Sequence, residues 1–159
     1  MVEVPDIRLR PEVPSDFAFL QRLYIWLHWA DLDALAWTAD HKTAYLLSQF
    51  GQHMAHLAQN HADGDYRLII LGDEPIGRFY VDSVSSEIRL LALDLLPDFR
   101  GQGIGGKLLA DLTDQAKASN RKITTQVDAT GPALSWFERK GFRRFTRLGH
   151  YCGLELAPC

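Results

Sequence analysis

Leu91–Ala116 reads LALDLLPDFRGQGIGGKLLADLTDQA, and its interpretation decides the fold of the whole chain. The apolar run ending at Leu96 predicts a strand, and Pro97-Asp98-Phe99-Arg100 predicts a polar turn. Ile104, Leu108, Leu109, Leu112 and Ala116 fall at helical spacing and give one apolar face, so the helix that follows packs on the sheet. Gly101, Gly103, Gly105 and Gly106 stand where that helix opens. Inside a helix each glycine costs roughly 1 kcal/mol against alanine, and an ordinary strand-to-helix turn needs only one or two. A first turn without side chains leaves the unpaired N–H groups of Gly103 to Gly106 open to a ligand. Those groups and the positive end of the helix dipole favour an anion, and Arg100 and Lys107 add positive charge on either side. The pattern is that of a phosphate cradle.

Three motifs fit these letters. Gly101, Gly103 and Gly106 satisfy the dinucleotide pattern G-x-G-x-x-G, with Asp128 near the distance of a ribose-binding acid. That fold, however, puts its glycines directly after the first strand and goes on alternating strand and helix, whereas here two helices and several strands come first. Gly101 to Lys107 also spells G-x-x-x-x-G-K, but Leu108 stands where a nucleotide P-loop needs Ser or Thr for magnesium. The third reading keeps Arg100. Arg100-Gly101-Gln102-Gly103-Ile104-Gly105 resembles the pyrophosphate loop R/Q-x-x-G-x-G/A of the GNAT superfamily of acyl-CoA N-acyltransferases. Pro132-Ala133-Leu134 and Trp136-Phe137-Glu138-Arg139-Lys140-Gly141-Phe142 resemble that superfamily's next helix, N-P-x-A-x-x-x-Y-x-x-x-G-F, at the usual separation. The two motifs cover roughly the C-terminal half. The N-terminal half resembles the family only in its order of elements.

The resemblance implies an α/β (α+β) fold with a mixed, mostly antiparallel central sheet of about six to seven strands flanked by about four helices. It implies an acetyl-CoA-dependent N-acetyltransferase that acts by direct attack of a primary amine in a ternary complex. Arg100, Gly101, Gln102, Gly103, Ile104, Gly105, Gly106 and Lys107 would hold the pyrophosphate, and Leu93, Asp94 and Leu95 the pantetheine arm, chiefly through main chain. Ala133 and Phe137 would contact the cofactor from the later helix. Glu87 matches the position from which a glutamate acts as base in histone-type members. Phe137 stands where many relatives carry a tyrosine that protonates the leaving thiolate, and Thr130-Gly131 replaces the usual asparagine. A thiol with a pKa around 8.5 is already a fair leaving group, and Tyr151 is the nearest replacement acid. The alternative is an acyl-CoA-binding domain with weak or no catalysis because Phe137 cannot donate a proton. An NAD(P)-dependent oxidoreductase using the same glycines is a third class.

Outward from this centre, Ile7-Arg8-Leu9-Arg10 alternates as a first strand. Ser15 or Asp16 can cap a helix whose inner face carries Phe17, Leu20, Leu23, Tyr24 and Leu27. Trp26, Trp29 and Trp37 cluster after it; they either cover the sheet edge or bind, and the family's acceptor site commonly borders this region. Asp40 can cap a second helix to about Asn60, with Tyr45, Leu46, Phe50, Met54 and Leu57 inward. Trp26, Trp29 and Gln49 are therefore candidate acceptor-binding residues, with His53 a weaker one. His53, His56 and His61 do not share one helix face and no Cys or carboxylate cluster joins them, so no metal site is expected. Strands follow at Tyr66–Leu71, Ile76–Val81 and Ser86–Leu95, then Ile123–Val127, Phe142–Arg147 and Tyr151–Leu156, with a helix at Pro132–Lys140.

At 159 residues the chain is long enough for one domain, 1–159, with a core of its own. A net charge of −3 gives no broad attraction to nucleic acid or acidic membranes. Cys152 and Cys159 alone suggest a reducing compartment, and neither a signal peptide nor a membrane span is evident, so the expected location is cytoplasmic. The expected partner is a small-molecule or peptide amine. Many relatives dimerise, and a homodimer stays open because nothing here specifies an interface.

Overall fold

The computed structural model describes residues 4–158; Cys159 lies outside them. The first strand, β1 (Ile7–Pro11), alternates as its sequence does. A short 3-10 turn, Pro14–Asp16, leads into α1 (Phe17–His28). Asp16 does not cap that helix with its side chain. Its carboxylate instead accepts two hydrogen bonds from Arg10, both 2.8 Å, and one from the Val13 N–H at 2.8 Å, which ties the turn to β1. The second helix, α2 (Ala39–Asn60), is capped by Thr38, whose hydroxyl accepts the His41 N–H at 3.1 Å; Asp40, expected as the cap, lies inside the first turn. Leu46, Phe50 and Leu57 face inward as the spacing predicts. Tyr45 does not: it is exposed and stands edge-on to Trp37.

Strands β2 (Asp65–Leu71) and β3 (Glu74–Ser83) form the expected hairpin, with its turn tightened to Gly72-Asp73. Then come β4 (Glu87–Leu95), a 3-10 turn over Pro97–Phe99, α3 (Ile104–Ala118), β5 (Lys122–Asp128), α4 (Pro132–Arg139), β6 (Arg143–Leu148) and β7 (Tyr151–Leu156). The described residues make one seven-stranded sheet in the order β1-β2-β3-β4-β5-β7-β6, with four α-helices. Every pair is antiparallel except β4 with β5. One parallel pair is all that a single strand–α3–strand crossover produces. A doubly wound dinucleotide fold would need several.

The helices form two layers. α3 and α4 cover one face, packing Leu108, Leu109, Leu112, Leu134 and Phe137 on Ile69, Ile88, Leu90, Ile123 and Leu154 in the larger core. α1 and α2 cover the other, with Phe19, Leu20, Leu23 and Phe50 on Leu68 and Ile70. Neighbouring residues of β2 thus feed opposite cores, as strand geometry requires. Phe17 is half exposed, its ring 5.5 Å from that of Phe50.

Two irregularities in β4 shape its centre. First, β4 pairs with β5 only from Glu87 to Leu90, where the Thr125 hydroxyl donates to the Leu90 carbonyl at 2.9 Å. Beyond it the strands part, and Leu91 to Leu95 keep only their β3 neighbour. These five residues stay half exposed in the middle of the sheet, whereas Ile88 and Leu90 are buried. Second, β4 carries a β-bulge. Val81 faces Leu90 but Tyr80 faces Ala92, so Leu91 is the extra residue. The bulge shifts every later side chain to the opposite face, which is why Leu93 and Leu95, not Ala92 and Asp94, join Ile88 and Leu90 against the α3 core.

Candidate active site

The glycine turn forms as its sequence implies. Gly101 and Gly103 hold left-handed conformations, φ 75° and 86°, that side-chain-bearing residues rarely adopt. Gly103 is the N-cap of α3, and the first helical backbone bond runs from the Lys107 N–H to its carbonyl at 3.0 Å. The N–H groups of Ile104, Gly105 and Gly106 therefore have no acceptor within the helix. A Cβ on Gly101 would meet nothing within 4 Å, and one on Gly105 would reach only the Trp136 ring at an ordinary 3.6 Å. At Gly105 neither backbone conformation nor packing demands glycine, so the space there serves something else. An anionic phosphate fits it.

The positive charge around the cradle is distributed differently from expectation. The Arg100 Nε donates to the Leu95 carbonyl at 3.1 Å, fixing the guanidinium at the end of β4. Lys107 turns outward to an exposed ion pair with Asp111 at 3.0 Å. Its place beside the first turn goes to Lys140, whose Nζ lies 3.4 Å from where a Gly106 Cβ would stand and 5.4 Å from the Trp136 ring centre. Lys140 also lines a groove of about 250 Å³ with Gly106, Leu109, Ala110, Thr113 and Asp114, running from the cradle between α3 and α4. Sequence reading missed Lys140. Its signal was its place at the close of α4, just before the left-handed Gly141.

On the opposite face, the open end of β4 meets α1 and α2. Leu68, Arg78 and Asp94 lie side by side on β2, β3 and β4, and Leu68 belongs to the α1–α2 core. Asp94 therefore points toward the helices. Its Oδ2 accepts the Arg78 Nε at 2.7 Å, and the Arg78 Nη1 reaches His53 Nε2 on α2 at 3.1 Å. The guanidinium also sits 5.0 Å over the Tyr80 ring, and Tyr80 donates a short hydrogen bond to Glu12. A guanidinium has only donors, so the imidazole nitrogen that faces it carries no proton. Burial, reinforced by the Arg78 charge, pushes the His53 pKa down to about 4. Tyr24 of α1 stacks near His53 at 5.9 Å and over His28 at 4.3 Å. Burial pushes its phenol up.

A family model described as Acetyltransferase (GNAT) domain matches residues 38–158, from the cap of α2 to the end of the described chain. The chain belongs to the GNAT acetyltransferase family. GNAT structures share its fold. PaiA N-acetyltransferase from Thermoplasma acidophilum, solved in complex with coenzyme A, superposes with a TM-score of 0.71 at 16% identity, covering 96% of this chain and 99% of that one. An acetyltransferase from Thermus thermophilus gives 0.68 at 20% identity over 99% of both chains. The ribosomal-protein-S18-alanine N-acetyltransferase of Escherichia coli gives 0.62 at 15%, covering 96% of this chain and 94% of that one. No curated protein matches it in sequence. At such identities the superpositions establish the fold, and the family model carries the assignment.

The remaining GNAT landmarks fall as follows. Phe137 is buried, edge-on to Trp136 and Phe142 at 4.9 and 5.1 Å, inside the α3–α4 core. Ala133 is exposed on the first turn of α4. Asp128 spends its carboxylate locally, accepting the Thr130 N–H at 2.8 Å and hydroxyl at 2.9 Å where α4 begins, and these bonds lower its pKa. Glu87 sits where β4 is still paired with β5, its Oε1 taking the Arg89 Nε at 2.8 Å. Tyr151 is 55% exposed at the head of β7. Trp26 projects from α1 with 59% of its surface exposed, whereas Trp29 is half-buried under Lys42 at 5.6 Å. Gln49 lies half-buried one turn before His53. The three histidines part company: His53 goes to Arg78, His56 to Asn60 and His61 to Asp82.

Proposed function

We propose that this GNAT protein transfers an acetyl group from acetyl-CoA to a primary amine by direct attack in a ternary complex. The carrying observation is the glycine turn of α3 placed beside the unpaired run Leu91–Leu95. The residues fit CoA. The N–H groups of Gln102 to Gly106, with Arg100 and Lys140, suit its pyrophosphate, and the free edge of Leu93–Leu95 suits a pantetheine amide chain, as an added strand would pair. Bound acetyl-CoA supplies an acyl group activated as a thioester.

What the protein adds is alignment, charge stabilisation and proton handling. An open N–H of β4 near the bulge can stabilise the carbonyl oxygen as negative charge develops on it. The nitrogen must arrive unprotonated, which for an aliphatic amine with a pKa around 10.4 requires a proton acceptor. Glu87 and Asp94 are the carboxylates on the acceptor side of β4. As the C–N bond forms and the C–S bond breaks, the amine proton leaves to a carboxylate or water and the thiolate takes one up. Tyr151 stands in for the hydroxyl that Phe137 lacks. A second reading rests on that buried Phe137 ring: a CoA-binding protein whose acyl transfer is slow.

Thermal unfolding with acetyl-CoA, CoA, NADP and ATP tests the first half, because a ligand of the native state raises the midpoint according to its saturation. The midpoint should rise with acetyl-CoA and CoA alone, and Gly105→Glu, which puts bulk and negative charge in the cradle, should remove the rise. An undiminished rise in that variant overturns the assignment of the cradle. Release of CoA with a panel of amines then separates the enzyme from the binding protein.

A further inference from the structure

We propose that Asp94, turned to the acceptor side by the Leu91 bulge and held by Arg78 and His53, is the residue that receives the ammonium group of the acceptor. The inference rests on the acyl-transfer reading above and names the chemistry of its second substrate: an amine that is cationic in solution.

The register carries the argument. Without the extra residue at Leu91, Tyr80 would face Leu91, Arg78 would face Leu93, and Asp94 would face Gly77 on the α3 side. The bulge moves Asp94 opposite Arg78 and onto the α1–α2 face, which is how bulges near functional sites re-aim side chains. Arg78 is nearly sealed from solvent, and its Nε and Nη1 are committed to Asp94 and His53. Asp94 is only partly covered. Its Oδ2 is occupied by Arg78, while Oδ1 takes no hydrogen bond among the described residues and remains open to solvent. One oxygen is anchored and the other offered.

The surroundings fit an alkylammonium group. His53 accepts from Arg78 through Nε2, so it adds no positive charge and is a positioning residue. Tyr24, its ring 5.9 Å from that of His53, adds aromatic surface that suits a cation. Glu87 lacks this setting: it sits at the closed end of β4, and its nearest cation is the more exposed Arg89 on the same strand.

Calorimetry on the full chain, with and without CoA, tests the inference. The probes are n-butylamine and tyramine, which are cationic at neutral pH, and aniline, which is neutral. Asp94→Asn, which can still accept from Arg78, should weaken both cationic amines by at least about tenfold, the size of a lost charge-assisted hydrogen bond, and leave aniline unchanged. Asp94→Glu should recover part of the loss. The midpoint rise given by CoA should be the same in all three proteins, so a fold or cofactor defect would be seen separately. Equal binding of the cationic amines by the wild type and Asp94→Asn overturns the proposal, as does a wild type that binds neither cationic amine. Absence of a CoA effect in the wild type would strike the acyl-transfer reading alone, because amine binding is also read without CoA.

Discussion

His53 is held neutral by two arrangements that reinforce each other: burial against α1 and the Arg78 guanidinium at its Nε2. Its folded pKa of about 4 lies below the ordinary 6.5. Between those values the unfolded chain binds the proton and the folded chain does not, so stability rises with pH across that window and falls as pH drops from 6.5 toward 4. Solvent at the open Nδ1 screens part of the effect, leaving a loss of about 1–2 kcal/mol. Urea unfolding at half-unit steps from pH 7 to pH 4 should give this slope in the wild type and a flatter one in His53→Gln. Parallel curves would mean that His53 is protonated in the folded state. At this scale the chain was only partly legible. The glycine turn declared itself because its geometry is local. Lys140 and the Arg78–Asp94 pair did not, since each is brought to its place by elements far apart in sequence. Lys107, expected beside the pyrophosphate, pairs with Asp111, because position beside a motif does not say which side of the helix a long side chain takes.

Among the elements, β4 holds the fold and the site together, and its partner β3 contributes through one glycine. A Cβ on Gly77 would run into the backbone carbonyl of Asp94, with the Leu95 side chain at 3.0 Å. Gly77→Ala should therefore push β3 from β4 at the open end of the site. Overpacking of this kind costs about 1–3 kcal/mol, and more where the obstacle is backbone. The variant should unfold several degrees below the wild type and show a weaker rise with CoA; an unchanged midpoint would mean that the strands have slack there. Strands and helices were readable from apolar spacing, down to the β2–β3 hairpin and the face of α3. The bulge at Leu91 was not, because a bulge is a mismatch between two strands and neither strand alone records it. That one residue decides which face Asp94 serves. Thr38 rather than Asp40 capping α2 is a smaller case of the same kind, for both residue types make good caps and the chain path chooses between them.

At the scale of the molecule, the sheet divides the work between two layers. The larger core lies under α3 and α4, beside the glycine turn; the smaller lies under α1 and α2, beside the Arg78–Asp94 pair. Phe50 is the hub of the smaller one, 1% exposed and 5.5 Å from both the Phe17 and Tyr24 rings. Phe50→Ala should cost about 3–5 kcal/mol, as large-to-small changes at buried aromatic sites do. The loss should also loosen Tyr24, which lies against it, and through Tyr24 the stacked His53, and so weaken amine binding. In the proposed complex CoA rests on the glycine turn and the β4 edge, not on the α1–α2 core, so the midpoint rise it gives should survive. Leu109→Ala, on the inner face of α3 and in the wall of the groove, should do the reverse, reducing the CoA effect while sparing the amine. Midpoints with and without CoA, together with amine calorimetry, read both variants. If Phe50→Ala abolished the CoA effect as well, the two layers would be coupled through the open end of β4, and the order of substrate binding would follow from the sheet rather than from two separate sites.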